Sequence, residues 1–165
     1  MLMTSTYCSI LQSPIGIIYV FAEEDSVSKI TFKESDTQGL SENKVSKLAA
    51  AQLNDYFEGK LTVFSLPLKQ AGTSFQQGVW TALQTIEYGN TCSYLEFSRQ
   101  QNNVLAIRAI AAANGKNNLA IVIPCHRVIG SNGKLVGYAG ELWRKKWLLD
   151  HERALSKKGQ MTLDF

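Results

Sequence analysis

Three strand-length segments with apolar residues in alternation, 6–12, 15–22 and 27–32, crowd into the first 32 residues of the chain. Ser13, Pro14 and Gly16 signal a tight turn between the first two. Connections this short leave no room for a crossover, so the strands must run as an antiparallel meander. A polar stretch, 33–43, leads into a helix expected over 42–58, with Val45, Leu48, Ala49, Leu53 and Tyr56 on one face and Gly59 as its stop. The expected fold class is α/β. A small N-terminal sheet plus helix fills 1–70, a mainly helical domain follows over 71–155, and 156–165 is a tail. The linker is expected within 66–73, around Pro67 and Gly72.

With 165 residues, 45% of them hydrophobic and 19% charged, the chain is long and apolar enough to bury a core in one domain or two small ones. No apolar run approaches the roughly 20 residues of a membrane span, and no basic-then-apolar leader opens the sequence. A cytoplasmic location without membrane association is expected. Cys8, Cys92 and Cys125 are odd in number and form no C-x-x-C pair, so no disulfide framework is expected. His126 and His151 are the only histidines, so neither a metal nor a cofactor is expected. The net charge of +3 hides a split: residues 1–90 hold six Lys and nine acids, residues 91–165 eleven Lys or Arg and five acids. The basic half suits a polyanionic partner, although a solvated face explains such asymmetry equally well.

In that half, Ser74 and Gln77 have capping-box spacing, with Val79, Ala82, Leu83 and Ile86 at helical period behind them and Gly89 as the stop. Ser93 and Glu96 form a second box that opens a short helix to Gln100. Asn102 and Asn103 make a turn, and a further helix covers 104–114. Short helix, tight turn, second helix is the helix-turn-helix pattern, which also occurs as a mere packing unit. At 100° per residue, Val104, Ile107, Ile110, Ala111 and Asn114 face the core. Leu105, Arg108, Ala109, Ala112 and Ala113 lie opposite. That second side is either buried too, or a low ridge that enters a nucleic-acid groove with Arg108 projecting.

A buried-strand signal at 119–123 runs into Pro124-Cys125-His126-Arg127. A thiol attacks as thiolate, and a neighbouring His that takes its proton activates it. Adjacent strand residues point to opposite faces, so His126 serves Cys125 only through a turn at Pro124 or a bridging water. Taken alone, the pair reads more often as a buried structural thiol.

The wider context changes this. Ile123-Pro124-Cys125-His126-Arg127-Val128, followed by Gly137-Tyr138-Ala139-Gly140 and by Trp147 to Glu152, resembles the signature of the O6-alkylguanine-DNA alkyltransferase family. The similarity extends over 75–152 and, more loosely, over the N-terminal strands and 55–59. It implies a ribonuclease-H-like N-terminal unit and a monomer acting on double-stranded DNA. In that reading, an alkyl group leaves O6-alkylguanine, or O4-alkylthymine, for Cys125 irreversibly after the base is flipped from the minor groove. Residue by residue, the resemblance implies Cys125 as acceptor, His126 as proton acceptor through a water, Glu152 as the carboxylate that orients it, and Asn117 as the holder of the active-site turn. Tyr94 meets the guanine ring nitrogen and the flanking phosphate, and Arg108 replaces the extruded base. Ala109, Ala112 and Ala113 lie in the groove. Val128, Tyr138 and Ala139 line the base pocket with Tyr94, and main-chain groups of Cys125, Val128 and Ala139 read the guanine edge. Asn102 and Val104 stand where the family carries Gly and Pro, Asn118 where it carries Pro, and Glu141 where it carries Gly. A damage-binding module of this kind without the acceptor, or a Cys-His hydrolase, is the rival reading. The presence of Cys125 argues against the first, and the lack of an oxyanion motif against the second.

Overall fold

Alternation with short turns builds the sheet. In the computed structural model, which describes residues 5–156, β1 (Tyr7–Ser13), β2 (Gly16–Ala22) and β3 (Val27–Thr31) form an antiparallel meander in that order. The β1–β2 register closes at Ser13↔Gly16, where Gly16 takes φ 107° and Ser13 Oγ donates to its carbonyl at 2.6 Å. Ile18, Val20, Ala22 and Ile30 are buried. The helix α1 (Lys44–Phe57) packs on β1 and β2. Its cap is Asn43, which accepts from Ser46 N at 2.8 Å, and Ser9 Oγ of β1 lies 2.9 Å from Ser46 Oγ. That polar tie turns Ser46, Ala49, Leu53 and Tyr56 inward. Leu48, expected on the same face, is 44% exposed.

The described residues divide into two units: 5–71 together with Asn118–Val122, and Gly72–Asn117 together with 123–156. The expected linker is shorter than 66–73, because Val27 N donates to Pro67 O at 2.8 Å and Lys69 N to Val27 O at 2.9 Å. Those bonds hold 67–69 beside β3. The expected strand at 119–123 does not form. Ile30 N donates to Asn118 O and Ala120 N to Ile30 O, a single bridge, after which the chain turns with Ile121 at φ 72°. A β-branched residue in the left-handed region is uncommon. Leu119 and Ile121 are nevertheless fully buried, and that burial is the apolar signal the sequence carried.

In the second unit, α2 (Ser74–Leu83) is capped by Thr73 and Gln76. This is one residue before the expected Ser74 and Gln77. Trp80 on α2 explains the shift: a Cβ on Gly72 would come within 2.5 Å of its ring, so the chain enters the helix tightly at Gly72. Trp80 Nε1 donates to Ala113 O at 2.9 Å. A short parallel pair joins β4 (Cys92–Ser93) to β5 (Val128–Ile129). Ser93 then caps α3 (Tyr94–Gln100), accepting from Glu96 N at 3.0 Å. Asn102 takes φ 55° in the following turn. One 3-10 turn, Val104–Ala106, precedes α4 (Ile107–Gly115), and α5 (Leu142–Ser156) ends the described chain. The expected tail lies outside the described residues from 157 onward.

The 3-10 turn corrects the helical wheel. It advances about 120° per residue where the α-helix advances about 100°, so the faces rotate. Val104 is 45% exposed and Leu105 fully exposed, whereas Arg108, Ala109 and Ala112 are exposed on α4. Ala113, expected beside them, is buried at 3% exposure. It packs towards α2 and is withdrawn from the outer face.

Candidate active site

Local backbone chemistry makes the turn at Cys125. Asn117 Nδ2 donates to Ile123 O at 2.9 Å, and Cys125 N donates to the same carbonyl at 2.7 Å. Pro124 sits between them at φ −81°, ψ 62°, the geometry of an inverse γ-turn. A 3-10 turn over Cys125–Arg127 follows, closed by Arg127 N to Pro124 O at 3.0 Å. Cys125 and His126 are therefore separated by a tight turn and not by the strict alternation of a strand.

His126 is fully buried, and its Nε2 lies 2.8 Å from Glu152 Oε2 on α5. Arg127 binds the same carboxylate in a fork, Nε to Oε1 at 2.8 Å and Nη2 to Oε2 at 3.1 Å, while Nη1 donates to Ile86 O at 2.6 Å. Burial alone would raise the Glu152 carboxyl. The His126 hydrogen bond and the Arg127 guanidinium outweigh it and hold the group well below the usual carboxylate range. Burial lowers His126, and Glu152 only partly opposes this. The imidazole is thus neutral beside an ionised carboxylate, with its proton on Nε2 as donor. Nδ1 carries the lone pair. Among the described residues it has no hydrogen-bond partner.

Burial pushes the Cys125 thiol up, while the Asn117 amide and the Lys145 ammonium pull it down. Lys145 is entirely buried and donates to Val128 O at 2.7 Å, Val136 O at 3.0 Å and Gly137 O at 3.2 Å. Its burial lowers it to about 8, with Cys125 opposing. Tyr138 is raised well above its ordinary value by burial, then by the nearby Cys125 and Glu152. Tyr94, the first residue of α3, accepts from Asn114 Nδ2 at 3.1 Å, and the same amide lies 3.4 Å from Cys125 O. A raised thiol becomes a nucleophile only when a base takes its proton, and the neutral, carboxylate-backed imidazole of the adjacent residue is the candidate base.

Of the residues singled out in the sequence, Cys125, His126, Glu152, Asn117, Tyr94 and Tyr138 are drawn into this cluster by these contacts. Val128 is buried at its edge and Ala139 is exposed. Arg108, Ala109 and Ala112 stand outside it on α4. Three participants were missed. Arg127 and Lys145 look like surface cations in a basic half, and Asn114 like a core-facing helix residue. The one available signal was position: Arg127 lies in the Pro-Cys-His-Arg run, and Lys145 precedes Glu152 by seven residues, two turns along one helix face. Among the described residues, no three His, Cys, Asp or Glu side chains gather closely enough to hold a metal ion. No described helix is long and apolar enough to cross a membrane.

Comparison with known proteins decides the lineage. Residues 74–154 match the 6-O-methylguanine DNA methyltransferase, DNA binding domain, and residues 6–70 match the ribonuclease-like domain of the same proteins. The chain belongs to the 6-O-methylguanine DNA methyltransferase family. A methylated-DNA--protein-cysteine methyltransferase of Mycobacterium leprae is 42% identical over 152 residues, covering 89% of this chain and 92% of its own. The constitutive one of Bacillus subtilis is 39% identical over 162 residues, covering 92% and 98%. The crystal structure of Mycobacterium tuberculosis OGT in complex with DNA superposes with a TM-score of 0.82 at 40% identity, covering 90% of this chain and 94% of that one. Methyltransferase relatives thus match both units, the site included.

Proposed function

We propose that this protein repairs DNA in the cytoplasm, as a monomer, by moving the alkyl group of O6-alkylguanine, or O4-alkylthymine, onto Cys125 once and irreversibly. The observation that carries this reading is the buried Cys125 sharing a turn with His126, whose Nε2 is pinned by Glu152 in a chain of this family. The thiol proton passes through a bridging water to His126 Nδ1. The sulfur then bonds to the alkyl carbon as its bond to O6 breaks, and the electron pair of that bond leaves with guanine. The Tyr94 hydroxyl gives its proton to the guanine ring nitrogen and is reprotonated through water by the proton that His126 took from the thiol. Hydrogen bonds from the Tyr94 hydroxyl and the Ala139 amide stabilise the leaving base. A thioether is stable, so turnover ends there. Intact-mass analysis after incubation with a duplex containing O6-methylguanine tests this: one methyl-sized gain per molecule, located on Cys125, is expected. Sustained turnover, or a gain elsewhere, overturns it.

The alkyl carbon is inaccessible inside a duplex, so the nucleotide is extruded. The exposed face of Arg108, Ala109 and Ala112 presents small groups around one long cation, which fits a minor groove, with Arg108 filling the vacated stack. Extrusion costs on the order of a few kcal/mol, so Arg108→Ala should slow repair of a saturating duplex about 10- to 100-fold. Reaction with free O6-benzylguanine needs no extrusion and should be unchanged. Equal slowing of both substrates assigns Arg108 to the fold instead.

The pH profile follows from His126. Its pKa is lowered from 6.5, so the proton-accepting form persists into more acidic solution than for an ordinary imidazole. The transfer rate to free base should hold its plateau through pH 6.5 and reach half only below that value. A midpoint above 6.5 contradicts the role given to His126.

A further inference from the structure

Glu141 has φ 74°, in the left-handed region that a residue bearing a Cβ seldom occupies. Its carboxylate is engaged: Trp143 Nε1 donates to Glu141 Oε2 at 2.9 Å. The Arg144 guanidinium lies 4.5 Å from the centroid of the Trp143 ring, and Arg144 Nη1 donates to Gly140 O at 3.1 Å. In the main chain, Glu141 N donates to Tyr138 O at 3.0 Å, and its own carbonyl accepts from Arg144 N at 3.2 Å. These contacts run from carboxylate to indole to guanidinium and return to the peptide before Glu141. A single exposed polar contact holds little. A closed set built on an unfavourable backbone conformation holds one geometry, because losing any member releases the others.

What the set holds is the C-terminal end of the loop after β5. Residues 131–134, 136, 137 and 139 are exposed, so side-chain packing does little to fix them. The 136–140 segment is tied instead to the first turn of α5, by Lys145 at Val136 O and Gly137 O and by the Glu141 set at Tyr138 O and Gly140 O. Lys145 Nζ gathers Val136 O and Gly137 O with Val128 O, three residues beyond Cys125, so this segment lies beside the turn that carries the sulfur. Its small residues, Ala139 and Gly140, leave room for a small substituent. A larger one fits only if the segment gives way.

We propose that Glu141, through Trp143 and Arg144, is a specificity-determining positioning residue: it latches the 136–140 segment to α5 and so limits the size of the alkyl group that reaches Cys125. The proposal rests on Cys125 as acceptor. The test compares transfer rates, by intact mass at saturating DNA, from one duplex sequence carrying either O6-methylguanine or O6-benzylguanine. Three full-length variants are used. Glu141→Gly removes the carboxylate and suits the backbone, Trp143→Phe removes the indole donor at a half-exposed position, and Glu141→Gln keeps an acceptor oxygen without the charge. The benzyl-to-methyl rate ratio should rise about tenfold in the Gly and Phe variants and stay within about twofold of wild type in the Gln variant. Amide exchange over 136–140, followed by mass spectrometry, should quicken in the first two alone. An unchanged ratio in the Gly and Phe variants overturns the latch, and so does an equal rise in the Gln variant, which would reveal a charge effect. A wild type that transfers neither group, while exchange still quickens in the Gly variant, overturns the acceptor reading and the specificity role with it. The exchange data keep that failure distinct from failure of the latch.

Discussion

Cys125→Ser should abolish alkyl transfer while leaving binding to an O6-methylguanine duplex within about twofold of wild type. A serine hydroxyl fits the same 7%-exposed site and keeps the Asn117 amide as a partner, so the exchange should cost at most about 1 kcal/mol of stability. Its chemistry does not carry over. The hydroxyl has no comparably accessible anion, and carbon displacement favours a soft sulfur. The other thiols offer no substitute: burial pushes Cys8 and Cys92 up, and their Sγ atoms point to the carbonyls of Ser9 and Ser93. Neither is followed by a histidine, as Cys125 is. Mass spectrometry on the variant after prolonged incubation should find unmodified protein. A methyl group on Cys92 would assign the reaction to another thiol.

Glu152→Ala should be the most damaging single change to stability. Glu152 is 1% exposed and neutralises the buried guanidinium of Arg127 through two hydrogen bonds while orienting His126. Removing one partner of such a pair leaves an uncompensated buried charge, which costs about 3–5 kcal/mol. Transfer should also fall about 100-fold or more, the usual contribution of an oriented general base. Chemical denaturation and single-turnover kinetics measure the two effects. Combining Glu152→Leu with Arg127→Met removes both charges together and should cost clearly less than the sum of the single changes. Strict additivity would mean that the two residues are not coupled. The same carboxylate makes stability depend on pH. Its folded value lies below the ordinary 4.5, so its contribution is complete above about 4.5 and fades as the pH falls further. His126, lowered from 6.5, acts in the same direction, since the unfolded chain takes up that proton first as the pH drops below 6.5. Stability should therefore decline from pH 6.5 downward in wild type. Glu152→Ala should lose the steeper part of the decline below 4.5.

Local rules accounted for much of this molecule. Period-two alternation with turns too short for a crossover allows only a meander at 6–32, and β1, β2 and β3 pair accordingly. Cap residues next to apolar periodicity located α1, α3 and the start of α2 to within about two residues, whereas α2 stops at Leu83, short of Ile86 and of the expected stop at Gly89. The Pro-Cys-His-Arg run marked the turn at Cys125 as one of two possibilities, and the resemblance of its surroundings to a known family singled it out; Asn117 Nδ2, which donates to Ile123 O, holds that turn. Such features depend on neighbours along the chain, and neighbours along the chain are what a sequence displays.

The remainder depended on partners far away in sequence. The apolar run at 119–123 signals burial truly and strand falsely, since Ile121 turns at φ 72° to suit the unit into which that segment is received. Ala113 stands at the margin of its expected face, beside Ile110 on the wheel, and is buried because α2 packs there, with Trp80 Nε1 donating to its carbonyl. Arg127, Lys145 and Asn114 are polar residues whose roles exist only once Glu152, the carbonyls of the 136–137 loop, and Tyr94 are brought to them. Burial turns an ordinary charge into a committed one, and burial is decided by packing across the whole unit. Residue types and local turns were therefore determined by the sequence itself. Which charges are buried, which carboxylate backs His126 and which helix face remains open were decided by tertiary structure, because each depends on the low-dielectric surroundings that only the assembled fold creates.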